Sequence, residues 1–171
     1  MNRVMVLGSA GSGKSTLSQK LGPILGLPVI HLDQHYWKPN WVGTPNEEWD
    51  EVVLELTMRE QWIIDGNYSR TIDKRMERAD LIIFLDMPRW LCLYRVLKRR
   101  IMYHNKTRPD MNEECPEKID FEFVKWVWNY RKRSRVNTLR RLEQVEKHKE
   151  VIILNTRKQV DEFIYTQMLK R

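Results

Sequence analysis

Five short stretches of this chain are continuously apolar: Arg3–Leu7 (RVMVL), Pro28–Leu32 (PVIHL), Trp62–Asp65 (WIID), Leu81–Leu85 (LIIFL) and Val151–Leu154 (VIIL). A run too short for a helix and lacking polar alternation reads as a strand covered on both faces. Between these runs the spacing turns helical. Helices are expected from Lys14 to Leu25, from a cap at Asn46 to about Glu60, and from Pro88 to about Tyr103. Two more follow, a long basic one over Phe121–Lys149, bent or broken near Ser134, and a last one over Lys158–Leu169. Trp37–Pro45 and the polar stretch His104–Asp120 read as loops. Strands alternating with helices predict an α/β fold, a five-stranded parallel sheet with helices on both faces. Residues 1–171 are expected to form a single domain with an insertion at about 101–135.

A glycine-rich turn joins the first strand to the first helix, and it changes the picture from architecture to chemistry. Gly8-Ser9-Ala10-Gly11-Ser12-Gly13-Lys14-Ser15 matches G-x-x-x-x-G-K-[ST] in full. The glycines let the backbone turn tightly, so that successive N–H groups face phosphate oxygens. Lys14 can reach the β- and γ-phosphates of ATP, the Ser15 hydroxyl can ligand Mg²⁺, and Thr16 is placed for the α-phosphate. The helix that follows adds its positive end. A carboxylate is also needed near Mg²⁺. Asp65 and Asp86 each close a strand. Asp65 is favoured because Gly66 leaves room beside it, whereas Asp86 before Met87-Pro88 suits a helix cap.

Neighbouring sequence excludes two classes. Neither strand continues as Asp-Glu, so the glutamate base of motor-type ATPases is missing. Asn105-Lys106-Thr107-Arg108 ends in Arg where a guanine-binding motif needs Asp.

Composition is that of a globular protein, with 42% hydrophobic and 31% charged residues. No apolar run reaches bilayer length, and Met1–Leu7 runs straight into a strand, so no membrane span or cleaved leader is expected. Two cysteines, Cys92 and Cys115, are too few for a disulfide framework and suit a cytoplasmic protein. The net charge of +7 lies wholly within residues 91–150, which hold sixteen basic and nine acidic residues. Such a patch could serve a polyphosphate or bind nucleic acid weakly and without sequence preference.

The order of P-loop, Asp33, Asp65-Gly66, an Arg-rich helix, a polar insertion and a basic helix resembles adenylate kinase and its relatives. More narrowly, VIHLDQHYWKP, WIIDGNYS, DMPRW, TRPDM, CPEKID and WVWNYRKRSR resemble a bacterial family named DNA topology modulation proteins. The resemblance implies a nucleotide- or nucleoside-kinase-like P-loop fold with ATP and Mg²⁺. By the same resemblance Asp33 would bind or deprotonate an acceptor hydroxyl. Arg95, Arg99, Arg133 and Arg135 would close over the transferring phosphate, and 101–135 would act as a lid. Arg70 is similarly placed for an acceptor phosphate, though adenylate kinases space that arginine one residue closer. Asn155-Thr156-Arg157 falls where relatives hold adenine through backbone groups.

Some residues invite a second reading. His31, Asp33 and His35 alternate, and an extended backbone would bring them to one side as a zinc site does. Packing or acceptor binding is preferred, since no fourth ligand suggests itself. Of the seven tryptophans, Trp62 and Trp90 are expected in the core, and Trp37 and Trp41 along the acceptor pocket. Trp126 and Trp128 should face different ways, on the far side of the lid. The sequence therefore points to an ATP-Mg²⁺-dependent phosphotransferase with a small acceptor. The alternative is a nucleotide-gated, nonspecific DNA-binding protein that affects DNA topology.

Overall fold

The computed structural model of the chain describes residues 1–103, Met111, Cys115 and 120–170. Its centre is a five-stranded, all-parallel sheet. The strands are β1 (Arg3–Gly8), β2 (Val29–His31), β5 (Trp62–Asp65), β6 (Leu81–Leu85) and β7 (Glu150–Leu154). Their spatial order is β2-β5-β1-β6-β7, which places β1 in the middle. The segments that leave the C-terminal ends of β1, β2 and β5 thus emerge side by side, the usual place for a ligand crevice in such sheets.

Two apolar layers cover the sheet, and the pleat assigns residues to them alternately. One layer takes Val4, Val6, Ile63, Ile83 and Leu85. Against it pack α1 (Lys14–Leu25), α5 (Arg89–Met102), α6 (Phe121–Asn129) and α8 (Arg157–Leu169). The other layer takes Met5, Leu7, Ile64, Ile82 and Phe84, covered by α3 (Asn46–Met58), α4 (Ile72–Arg78) and α7 (Ser134–Val145). Trp49 of α3 and Trp62 of β5 are both fully buried in that second layer.

Several boundaries differ from the expectation. Pro45, not Asn46, occupies the cap position of α3, and Pro88 rather than a first-turn residue precedes α5. The long basic helix is broken as foreseen, by a 3₁₀ turn at Tyr130–Lys132 ahead of Ser134. Three elements went unforeseen: α2 (Leu32–Tyr36), α4, and a small antiparallel hairpin of β3 (Trp37–Lys38) and β4 (Val42–Gly43). Trp90 is 65% exposed, with its ring set edge-on to Trp128 at 4.5 Å between centroids. It lies on the outward face of α5, while Cys92 and Val96 turn inward. No helix among the described residues is long and apolar enough to cross a membrane. Of the segment 101–135, residues 104–110, 112–114 and 116–119 lie outside the described residues.

Phe84 stands at the middle of β6 with no exposed surface. Replacing it with Ala should lower unfolding free energy by about 3–5 kcal/mol through lost burial and the cavity left behind. Urea denaturation followed by circular dichroism checks this.

Candidate active site

The phosphate-binding loop leaves β1 at Gly8 and enters α1 at Lys14. Gly11 has a φ of 74°, and a Cβ there would lie 2.3 Å from the Cys92 carbonyl oxygen. Only glycine allows the loop to press against the backbone of α5 this closely. α1 starts at Lys14, so the N–H groups of its first turn have no acceptor within the helix. Lys14 Nζ donates to the carbonyls of Gly8 and Ser9, each at 3.0 Å. Burial pulls its pKa below the ordinary amine value; Asp65 and Asp33 oppose the fall, and Arg99 adds to it.

A cavity of about 850 Å³ opens in front of this loop. Lys14, Ser15, Asp33, Asp65, Arg95 and Arg99 all line it. Arg95 Nη1 donates to the carbonyls of Ser12 at 3.1 Å and Gly11 at 3.4 Å, so α5 is fastened to the phosphate loop itself. Trp37 and Trp41 also line the cavity, as do Phe123 and Trp126 of α6. Trp126 therefore faces the cavity instead of the far side.

His31 Nδ1 lies 2.6 Å from Asp65 Oδ2, and both side chains are buried. This contact replaces the alternation of His31, Asp33 and His35. The backbone turns helical at Leu32, so the three side chains diverge, and exposed His35 lies near Arg59 and Glu55 instead. No group of three or more metal-ligating side chains occurs among the described residues.

Asp33, in the first turn of α2, accepts a hydrogen bond from the Tyr68 hydroxyl at 2.7 Å. Burial, together with the Asp33 charge and hydrogen bond, pushes the Tyr68 pKa up, so the phenol remains a donor.

Two residues that sequence reasoning missed hold this corner. Asn67 grips Gly8 from both sides: its Nδ2 donates to the Gly8 carbonyl at 2.8 Å, and its Oδ1 accepts from the Gly8 N–H at 3.2 Å. Arg75 of α4 has no exposed surface, and its guanidinium donates to the carbonyls of Gly66, Asn67 and Tyr68. Desolvation lowers its pKa from the usual guanidinium value. Nothing in the run IDKRMER, which holds Arg75 and Arg78 among other charged residues, marks Arg75 as the buried one.

Other candidates stand apart from the cavity. Arg135 Nε and Nη2 both donate to the Asp86 carboxylate at 2.7 Å, occupying both oxygens of that acid. Neither residue lines the cavity, nor does exposed Arg133. Arg70 is likewise held by Asp50, at 2.9 and 2.8 Å. The backbone N–H groups of Asn155 and Thr156 donate to Gln159 Oε1 in a capping box for α8. Among the described residues, the basic segment thus places Arg95 and Arg99 at the cavity, while Arg135 and Arg141 are held by acids.

Solved structures place this architecture. Shikimate kinase from Acinetobacter baumannii, in complex with shikimate, superposes with a TM-score of 0.59 at 15% identity, covering 97% of this chain and 90% of that one. A gluconokinase from Sinorhizobium meliloti 1021 gives 0.52 at 15% identity over 98% and 90% of the two chains. Shikimate kinase from Bacteroides thetaiotaomicron gives 0.52 at 18% identity over 99% of each.

The chain has the P-loop kinase fold. No family model matches the sequence. In Bacillus subtilis (strain 168) the uncharacterized protein YqaC is 30% identical over 98 residues, 56% of this chain and 55% of its own length. The chain thus spans about half of that relative. What the comparisons establish is the kinase fold, and membership of the DNA topology modulation family is not among their results.

Within this P-loop kinase fold, Arg75→Met should destabilise the chain by about 3 kcal/mol or more, because three buried carbonyls lose their donor. Arg75→Lys should recover only part of that, since one ammonium cannot span the guanidinium's fork. Thermal unfolding of the two variants checks the order.

Proposed function

We propose that the protein transfers a phosphoryl group from ATP-Mg²⁺ to a hydroxyl of a small acceptor. One observation carries this reading: the motif lysine Lys14, the carboxylates Asp33 and Asp65, and the guanidinium-bearing Arg95 and Arg99 all border one cavity. The neighbours named as shikimate kinase and gluconokinase support a small-molecule acceptor.

The residues present fit the ligands. A Cβ at Gly13 would meet only Arg95 Nη1, at 3.6 Å, so the loop opens onto free space rimmed by a cation. Ser15 and Asp65 offer oxygen donors, which suit a hard cation such as Mg²⁺. When bound, ATP-Mg²⁺ supplies the transferable group and neutralises part of its charge.

Lys14 and Arg99 would stabilise charge on the equatorial oxygens. Asp65 has Oδ2 committed to His31, which fixes the carboxylate, and Oδ1 is the oxygen that would hold the metal or its water. Asp33 has Oδ1 committed to Tyr68, so Oδ2 is the atom to take the acceptor proton. The acceptor oxygen then bonds to the γ-phosphorus as the bond to the departing ADP oxygen breaks. Water is a rival acceptor at every turnover. On this reading α6, which already forms part of the cavity wall, belongs to a lid that excludes it.

Two substitutions separate the roles. Lys14→Ala should leave the fold intact and cut turnover by about 10²–10³-fold. Isothermal calorimetry that finds no ATP-Mg²⁺ binding by the folded wild type would overturn the proposal. Asp33→Asn should keep ATP affinity and lose about 10²–10⁴-fold in acceptor-dependent turnover. Unchanged steady-state rates would return Asp33 to a structural role.

A further inference from the structure

The cavity carries charges of both signs beside an aromatic lining. Among the described residues, its lining cations are Lys14, Arg95 and Arg99, and all three gather at the phosphate loop. Lys14 and Arg95 donate to carbonyls of that loop, and Arg99 lies close enough to Lys14 to depress its basicity. Asp33, Trp37, Trp41 and Tyr68 form a further part of the lining, with Asp33 close enough to Lys14 to raise its basicity.

Cations carried by neighbouring elements are turned elsewhere. Lys38 bonds to Glu48 at 2.9 Å, Arg70 is held by Asp50, and Arg75 is buried against the carbonyls of 66–68. None of the three lines the cavity. An anionic acceptor bound here would be repelled by the Asp33 carboxylate, and Lys14, a described cation close enough to feel that carboxylate, has its ammonium committed to the carbonyls of Gly8 and Ser9.

The aromatic side is built under strain, which points to a use for it. Three non-glycine residues among those described have positive φ: Asn40 at 61°, Trp41 at 63° and Tyr68 at 30°. For a bulky residue this conformation is a true outlier, and it persists only where the surroundings enforce it. Two of the three, Trp41 and Tyr68, belong to this part of the lining. Trp37 and Trp41 meet edge to face at 5.4 Å, Tyr36 joins Trp37 at 4.8 Å, and Tyr68 joins Tyr36 at 4.8 Å. The rings form a packed row, with Tyr36 behind the lining, that leads to Asp33 through the Tyr68 hydroxyl.

We propose that the acceptor is an uncharged or cationic alcohol with a ring or alkylammonium face, seated against Trp37 and Trp41 with its hydroxyl at Asp33, and that anionic acceptors are rejected. An aromatic wall favours ring faces and cations. Asp33 adds attraction for a cation and accepts the proton of a neutral hydroxyl. This inference rests on the kinase reading above and narrows its acceptor class.

The test is ADP release by the full chain with ATP-Mg²⁺ over matched compounds. Uridine and choline would stand for the uncharged and cationic classes, in a panel of ring alcohols and amino alcohols. Uridine 5′-monophosphate, shikimate and gluconate would stand for the anions. At least one uncharged or cationic compound should raise ADP release above the acceptor-free rate. Adding a carboxylate or phosphate to that compound should lower kcat/KM at least tenfold. Trp41→Gly, which suits the left-handed backbone and so spares the fold, should raise the acceptor KM about tenfold or more and leave the ATP KM within about twofold.

Turnover with anionic members alone, or with no uncharged or cationic member, overturns the inference. So does an acceptor KM unmoved by Trp41→Gly. Calorimetry with ATP-Mg²⁺ separates the two claims, since ATP binding with anion-only turnover retains the kinase and discards this acceptor class.

Discussion

A guanidinium in a protein interior is costly to desolvate, and Arg75 is tolerated because three carbonyls in a row, Gly66 to Tyr68, receive its N–H groups. That requirement shapes the site. It fixes the loop after β5, with Gly66 at a φ of 133° and Tyr68 at 30°, and so fixes where the side chains of that loop point. Asn67 is aimed at both backbone groups of Gly8, where the phosphate loop begins. Tyr68 is aimed at Asp33, across the gap to α2. One buried cation thus sets the spacing between the phosphate loop and the carboxylate that would meet an acceptor. The apolar layers of the sheet hold α4, and therefore Arg75, in place.

The strands and the phosphate loop were legible in the sequence because their signals are local. A buried parallel strand needs an unbroken apolar run, and a phosphate cradle needs glycines and a lysine at fixed spacing. The pairings that complete the site were not legible because they join distant residues. His31 meets Asp65 across 34 positions, and Asn67 meets Gly8 across 59. A bond to a backbone carbonyl leaves no mark on residue choice at its other end, which is why Arg75 was not singled out.

Short elements escaped for a related reason. α2 has five residues and α4 seven, less than the span over which helical periodicity becomes distinct. The alternation of His31, Asp33 and His35, which an extended backbone would have brought to one side, is broken by that short helix. Arg135 is a different case: its partner Asp86 was visible at the end of a strand, but only the packing of α7 shows that the two meet. Trp90 shows that nearness to a strand is a weak guide to burial, since a residue's place on the helix decides which side it faces.

The two parts of the cavity lining rest on different supports, and this bears on how such a fold changes acceptor. At the phosphate loop, Gly11 presses on the Cys92 backbone and Arg95 is bonded to carbonyls of the loop, so α1, α5 and the loop form one packed unit. The hairpin of β3 and β4 takes no part in those particular contacts. Along the aromatic part the wall is the hairpin with the loop after β5, stiffened by ring-to-ring packing and by Arg75. Substitutions in the hairpin therefore alter what meets Asp33 without disturbing the contacts that position Lys14. The reverse does not hold, because Asn67 ties the acceptor loop to Gly8 and a displaced phosphate loop would carry Tyr68 with it. On the proposed function, donor chemistry would accordingly be the constrained half of the site, and acceptor choice the half free to vary.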